Sequence, residues 1–294
     1  MNMKSYNKLT SSLFIVPYLF MFIIFGLGPM LYGIWVSLHD WDLLSKKHTF
    51  IGLKNYLDIF NSETYLHDYF FIGLANTLKF VALSVPALVI FSLMLALLLK
   101  NLSQREQNIF RTIYFAPYVL SVSVISVVWV WMLDTNSGFV NQILNKTFGL
   151  NFIPWLTEVP WAWFSIVLAT LWWTIGFNMI IFINGLNQVP DDIYEASAID
   201  GANKIQQFFY ITLPSIKNVI MFTLLTSTIA SFNIYGQPYM MTKGGPGNST
   251  KTLLMYIVDE AFVNRNFGKS SAMSIILALI ILTLVLVQRK CSKH

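Results

Sequence analysis

Six stretches of this 294-residue chain are long and apolar enough to cross a bilayer, and they decide its solvent before anything else does. Crossing a hydrocarbon core of ~30 Å takes roughly 20 mostly apolar residues. The runs are Leu13–Leu38, Phe70–Leu99, Thr112–Leu133, Trp161–Ile183, Val219–Tyr239 and Ser271–Val287. With no water to satisfy N–H and C=O groups in lipid, such runs are predicted as helices and not as open strands. The expected fold class is therefore all-α integral membrane, with six transmembrane helices and a cytoplasmic helix–turn–helix between spans four and five. Composition agrees. Charged residues are 11% of the chain, against roughly 25% in a soluble domain, while hydrophobic residues reach 55% and aromatics 16%. These values exclude a disordered chain, a soluble nucleic-acid binder and a disulfide-built module. The single cysteine, Cys291, can close no internal disulfide.

The first run follows Lys4 and Lys8, as a signal peptide would. Its length and the lack of a small-x-small cleavage site predict an uncleaved span instead. Six spans place both termini on one side. The segments 1–12, 100–111, 184–218 and 288–294 carry ten basic residues, and the longer segments 39–69, 134–160 and 240–270 carry eight. The denser set is expected inside, so both termini are expected to be cytoplasmic. The predicted organisation is a tail 1–12, a six-span domain 13–287 and a tail 288–294.

No stretch between spans has room for a catalytic domain. Gly244-Gly245-Pro246-Gly247-Asn248-Ser249-Thr250-Lys251 imitates a phosphate-binding loop, but Thr250 replaces the glycine that should precede lysine. The four histidines form no metal-spaced pattern. No catalytic residue and no metal site is expected. Whatever drives this protein would come from a partner or from an ion gradient.

The segment after the fourth span reads Val189-Pro190-Asp191-Asp192-Ile193-Tyr194-Glu195-Ala196-Ser197-Ala198-Ile199-Asp200-Gly201. Proline suits a first helical position, and the two aspartates sit at the positive end of a helix dipole. Ala196, Ser197 and Ala198 offer a surface that another helix can approach closely, and Gly201 suits a left-handed stop. A second helical run is predicted over 202–210, leading through Ile211-Thr212-Leu213-Pro214 into the fifth span. On physics alone this is equally an amphipathic loop packed on its own bundle.

Glu195-Ala196-Ser197, Gly201 and Ile211-x-Leu213-Pro214 resemble, at every spacing, the EAA loop of ABC-importer permeases, with Ser197 in place of the second alanine. Ala116-Pro117, Trp172-Trp173-Thr174-Ile175-Gly176-Phe177 and Thr242-Lys243-Gly244-Gly245-Pro246 resemble the carbohydrate-uptake subfamily, of the maltose, multiple-sugar and glycerol-phosphate type. The likeness covers residues 10–288.

That resemblance implies a membrane subunit without enzymatic activity. It would pair with a second homologous permease, and two cytoplasmic ATPase subunits would carry the ATP and Mg. An extracytoplasmic solute-binding protein would deliver a carbohydrate; nucleic acid has no part. The membrane would be a bacterial plasma membrane. Residues 189–214 would be the coupling loop. Glu195 would be the charged contact, Ala196 and Ser197 the close-packing face, and Asp200 and Gly201 the bend. The family's substrate positions fall on Tyr114 and Tyr118, on Trp173 and Gly176, and on Ser227, Ala230 and Ser231. Tyr118 replaces a small hydroxyl residue of the maltose type and Ala230 replaces an aromatic, so the pocket is reshaped. Gly244, Gly245 and Pro246 would meet the binding protein.

The residues themselves offer Ser227, Ser231 and Tyr235 at a spacing of four, on one helix face with Asn233 off it. Tyr114 and Tyr118 repeat that spacing on the third span, and the fourth adds Trp172 and Asn178. Intramembrane serines also bond their own helix or a neighbour. Lys79, near the end of the second span, either snorkels to the headgroups or meets an anionic solute. The competing reading is a self-sufficient secondary transporter or channel. It calls for ionisable groups buried mid-span, and the six spans hold only Lys79, with no Asp or Glu away from their ends.

Overall fold

The computed structural model describes residues 15–42 and 48–292. The start of the first predicted span, Lys46, Lys47 and the extreme termini lie outside them. The chain falls into two compact units, one made by residues up to Phe70 with Ile257–Leu279, the other by Phe71–Tyr256 with the segment from Ile280 onward.

The first unit opens with α1 (Ile15–Ser37), apolar all round and exposed along most of its length, as suits a helix facing lipid. A short hairpin follows. Strand β1 (His39–Trp41) pairs antiparallel with β2 (His48–Phe50), His39 opposite Phe50. Asn55, buried on α2 (Lys54–Phe60), fastens this corner by donating to the carbonyls of Ser37 and His39 at 2.8 and 3.0 Å. Glu260 is wholly buried and survives there because Tyr65 Oη and Asn264 Nδ2 donate to its carboxylate.

The second unit contains most of α3 (Tyr65–Lys100), then α4 (Gln104–Val119), α5 (Val122–Met132), α6 (Phe139–Phe148), α7 (Trp161–Leu186), α8 (Asp191–Ile199), α9 (Lys204–Ser215), α10 (Lys217–Phe232) and the start of α11 (Leu253–Phe262). The last helix, α12 (Phe267–Ser292), is shared with the first unit. Among the described residues four helices, α1, α3, α7 and α12, are long and apolar enough to span a membrane; there are up to six spans if each of two bent pairs counts as one.

Those bends correct the sequence reading. The predicted third span, 112–133, is α4 and α5 meeting at 97°. Pro117 removes a helix donor in the last turn of α4, Leu120 is extended, and the Ser121 hydroxyl caps the new helix by accepting from Val124 N. Ala116-Pro117 therefore lies in the closing turn of a helix. The predicted fifth span, 219–239, ends early: α10 stops at Phe232, where the Asn233 amide donates to the Ile229 carbonyl, and a wide turn forms at Pro238–Thr242. The break before α10 is at Ile216, with a bend of 67°.

Three packed clusters organise this unit. The first joins α3, α7 and the start of α10 through Val89, Ala96, Leu99, Met179, Phe182, Leu186 and Ile216. The second joins α5, α7 and the 153–156 loop around Trp129 and Trp155. Asn141 supports that loop, donating to the Thr135 and Ile153 carbonyls while its own oxygen accepts from Ile153 N and Trp155 Nε1. The third sets Phe80 beside Trp163, Ile166 and Ile234.

Candidate functional site

A cavity of about 380 Å³ lies within the second unit, between α3, the α4–α5 bend, α7 and the end of α10. The bend makes room for it. Tyr118, in the last turn of α4, stacks on Phe177 of α7 with ring centres 4.8 Å apart and planes 14° apart. Trp173 is fixed by donating from Nε1 to the Leu120 carbonyl, at the break itself. Together Tyr118, Trp173 and Phe177 give one side of the cavity an aromatic wall.

The rest of the lining mixes aliphatic side chains, Leu88, Val122 and Ile234, with neutral polar ones. Thr170, Thr174 and Asn178 come from α7, and Thr226, Ser227 and Ser231 from α10. Ser227 and Ser231 are 6% and 5% exposed. Asn178 Nδ2 donates to Ser227 Oγ at 3.4 Å, and Ser231 Oγ shares a hydrogen bond of 3.2 Å with Ser84 Oγ of α3. Thr170, Thr174 and Thr226 spend their hydroxyl hydrogens on the carbonyls of Ile166, Thr170 and Phe222, each four residues back. That habit of membrane threonines leaves the oxygen free to accept. No lining residue is charged. Flat aromatic faces beside neutral donors and acceptors can hold a polyhydroxylated molecule, whose C–H faces stack and whose hydroxyls need partners.

The helix–turn–helix forms a second feature. Helix α8 begins one residue after the expected start, so Pro190 is its N-cap and not its first helical residue. It ends where Gly201 takes φ +85°, and Ala202 N closes the turn on the Ser197 carbonyl. Asn203 and Gln206 cap α9 reciprocally. Behind the turn, Gln207 Nε2 reaches Ser197 Oγ at 2.9 Å and the Tyr194 carbonyl at 3.1 Å. A polar notch of about 360 Å³ opens beside Ser197, Asp200, Gly201 and Tyr210. Glu195, Ala196 and Asp200 are exposed, and so are apolar side chains: Ile199 is 86% and Tyr210 80% exposed.

Residues 70–292 match the family described as binding-protein-dependent transport system inner membrane component. The chain belongs to this family. It is 32% identical to the probable ABC transporter permease protein YurN of Bacillus subtilis (strain 168), across 99% of this chain and 98% of that protein. It is also 32% identical to the arabinooligosaccharides transport system permease protein AraP of Halalkalibacterium halodurans, across 96% and 87%. Its fold matches a chain of a bacterial alginate ABC transporter crystallised with an alginate pentasaccharide-bound periplasmic protein. There the TM-score is 0.83 at 22% identity, over 98% of this chain and 95% of that one.

Within this inner-membrane component the residues singled out from sequence divide. Tyr118, Trp173, Ser227, Ala230, Ser231 and Tyr235 line the cavity. Tyr114 and Gly176 do not. Tyr114 packs against the α3–α7 cluster, and a Cβ on Gly176 would stand 1.9 Å from the Tyr114 carbonyl oxygen, so these two set how closely α4 and α7 approach. Tyr235 lies beyond the end of α10 and reaches the cavity from the following loop, not along a helix face; it stacks on Tyr239 at 5.1 Å. Asn233, expected off the face, lines the cavity for the same reason, as does Gln237. Thr170, Trp173, Thr174, Phe177 and Asn178 repeat at three and four residues, a stripe that was readable on the fourth span. Lys79 lies outside the cavity, exposed, with Nζ 5.6 Å from the Trp163 ring centre. Gly244, Gly245 and Pro246 form a tight loop, with Gly244 at φ +82° and Thr250 donating back to the carbonyls of Gly244 and Gly245. Asn76 of α3 holds that loop through the carbonyls of Asn248 and Lys251.

Proposed function

We propose that this chain is the membrane-spanning permease subunit of an ATP-driven importer and passes an uncharged carbohydrate, a di- or oligosaccharide or a related solute, across a bacterial plasma membrane. The observation that carries the solute class is the cavity: an aromatic wall, neutral hydrogen-bonding groups set among aliphatic side chains, and no charge in its lining. Tyr118, Trp173, Ser227, Ser231 and Tyr235 contact the solute in this reading. Tyr114 and Gly176 act through the fit of α4 against α7. A relative named for arabinooligosaccharide transport supports a sugar.

Residues 189–214 are the coupling loop in this reading. Glu195, Ala196, Ser197, Asp200 and Gly201 dock on one of two cytoplasmic ATPase subunits, which hold the ATP and Mg, and both termini share that side. A second, homologous permease completes the pathway, and Gly244, Gly245 and Pro246 face an extracytoplasmic solute-binding protein. Nucleotide binding on the ATPase shifts the balance between inward- and outward-facing states through differential contacts at α8. The exposed Ile199 and Tyr210 support docking, because large apolar side chains at a loop tip are poorly placed in water.

The test is to purify the complex in detergent with whatever accompanies it, beside Glu195→Lys. An ATPase and a second permease should accompany the wild type, and hydrolysis should rise with a loaded sugar-binding protein. In the variant the ATPase should be lost or unresponsive. Wild-type protein that purifies alone and moves solute in vesicles without ATP would overturn the proposal in favour of a secondary carrier.

A further inference from the structure

We propose that Lys100 is a positioning residue that ties the coupling loop to helix α3, so that α3 moves its wall of the cavity when α8 moves. This rests on the reading of residues 189–214 as the coupling loop.

The argument begins with connectivity. Helix α8 is joined to α7 and α9 by short stretches of chain, so any displacement of α8 pulls on both. Helix α3 has no such link. It nevertheless forms one wall of the cavity, through Phe80 and Leu88, and Ser84 bonds Ser231 there. From Leu88 to Lys100 the helix runs without a break, about 18 Å at 1.5 Å per residue. If α3 is to follow α8, side chains must carry it.

Lys100, the last residue of α3, supplies the link. Its Nζ lies 3.7 Å from Asp191 Oδ1 and 4.6 Å from the centre of the Tyr194 ring. Both partners sit in the first half of α8, one turn apart, so a single ammonium grips the helix twice. Tyr194 is itself anchored. Its ring packs against the α3–α7 cluster that includes Ala96, Leu99 and Leu186. Its hydroxyl shares a 3.0 Å hydrogen bond with Thr212 of α9, and its carbonyl accepts from Gln207. The ring thus stands between the loop and the core, with the ammonium over its face. Lys100 is 29% exposed on its side chain and Asp191 82%, so solvent screens the ion pair and the contact with the Tyr194 ring carries more of the hold. Among the described residues this is the one ion pair that joins α8 to another helix.

The experiment uses the assembled transporter in lipid vesicles with its binding protein, comparing wild type, Lys100→Gln, Lys100→Arg, Tyr194→Leu and the Lys100→Gln/Tyr194→Leu double variant. Assembly and ATP hydrolysis without solute are measured first. Lys100→Gln should assemble and hydrolyse within about twofold of wild type, because Lys100 lies under the loop and not on its docking face. Solute moved per ATP hydrolysed should fall about fivefold or more. Arginine keeps the charge and stacks on tyrosine, so Lys100→Arg should restore at least half of the ratio. Tyr194→Leu should lower it too, and the double variant should be little worse than either single one. A Lys100→Gln transporter that couples like wild type overturns the proposal, and so does a Lys100→Arg variant as uncoupled as the glutamine one. A wild type that needs no ATPase sinks the underlying reading as well, which separates the two failures.

Discussion

The α7 wall of the cavity and the turn that ends α8 each depend on a glycine, and the two are needed for different reasons. At Gly176 the obstacle is matter: an added Cβ would meet the Tyr114 carbonyl carbon at 2.4 Å and its oxygen closer still, and both are backbone atoms that no rotamer change can move aside. At Gly201 there is nothing within 4 Å of such a Cβ, and the obstacle is the backbone itself, held at φ +85°. The wall is limited by volume, the turn by conformation. One region must be packed to keep a cavity open between helices. The other must bend sharply while leaving its surface bare.

The same small change at both positions should expose the difference. Gly176→Ala should have the largest effect, forcing α4 off α7. Overpacking against rigid backbone costs several kcal/mol, roughly 10 °C or more in melting temperature for a chain of this size. Thermal unfolding in detergent reads it directly, and transport should fail with it. An unchanged melting temperature would show that α4 and α7 are not held this close.

Gly201→Ala should cost about 1 kcal/mol, the penalty for placing a Cβ at positive φ, and leave the melting temperature within a few degrees. Its damage should fall on coupling to the ATPase. Gly201→Asn sharpens the contrast, since asparagine visits the left-handed region readily. It should couple better than alanine despite being larger. If alanine outperforms asparagine, the turn is limited by space after all and the comparison collapses.

Legibility followed the same division. Helices α3, α7 and α12 and the turn at Gly201 were readable because hydropathy, capping residues and spacing are local properties. The 97° bend between α4 and α5 was not, because an apolar run has composition but no direction. Only Pro117 hinted at it. The early end of α10 misdirected two readings at once: helical periodicity put Tyr235 on a face and Asn233 off it, whereas both enter the cavity from a loop. Gly176 was read as a pocket residue through the family resemblance, and its neighbour, the Tyr114 carbonyl, lies on a helix no spacing rule connects to it. The exposed loop was easier to read than the buried wall because its residues lie in one stretch of chain. A wall draws them from four helices.

Gly138 lies between the two cases and gives a smaller expected effect than Gly176. A Cβ there would come 2.3 Å from the Asp134 carbonyl oxygen, so the limit is again volume. What crowds it, however, is a short turn in which one carboxylate adds to the backbone bond from Gly138 N to the Asp134 carbonyl. Asp134 Oδ1 accepts from Ser137 N at 2.8 Å, from Ser137 Oγ at 2.8 Å and from Asn136 N at 3.0 Å. The bonds from Ser137, with the weaker one from Asn136, hold the carboxyl below its usual range. A lowered pKa in the folded state means the carboxylate stabilises the turn fully above its unfolded pKa of about 3.9, and that contribution is lost as pH falls through the folded value. The group is fully exposed, so the effect on global stability is small. Its local effect is specific. At neutral pH Gly138→Ala should strain a firmly held turn and lower the melting temperature by a few degrees relative to wild type. As the pH falls through that lowered folded-state value the turn slackens, and the gap between variant and wild type should narrow. Gly176→Ala, crowded by helix backbone and by no titrating group, should show a gap that acid leaves alone. A Gly138→Ala gap that stays constant from pH 7 to pH 3 would put the turn's rigidity in its backbone and not in Asp134.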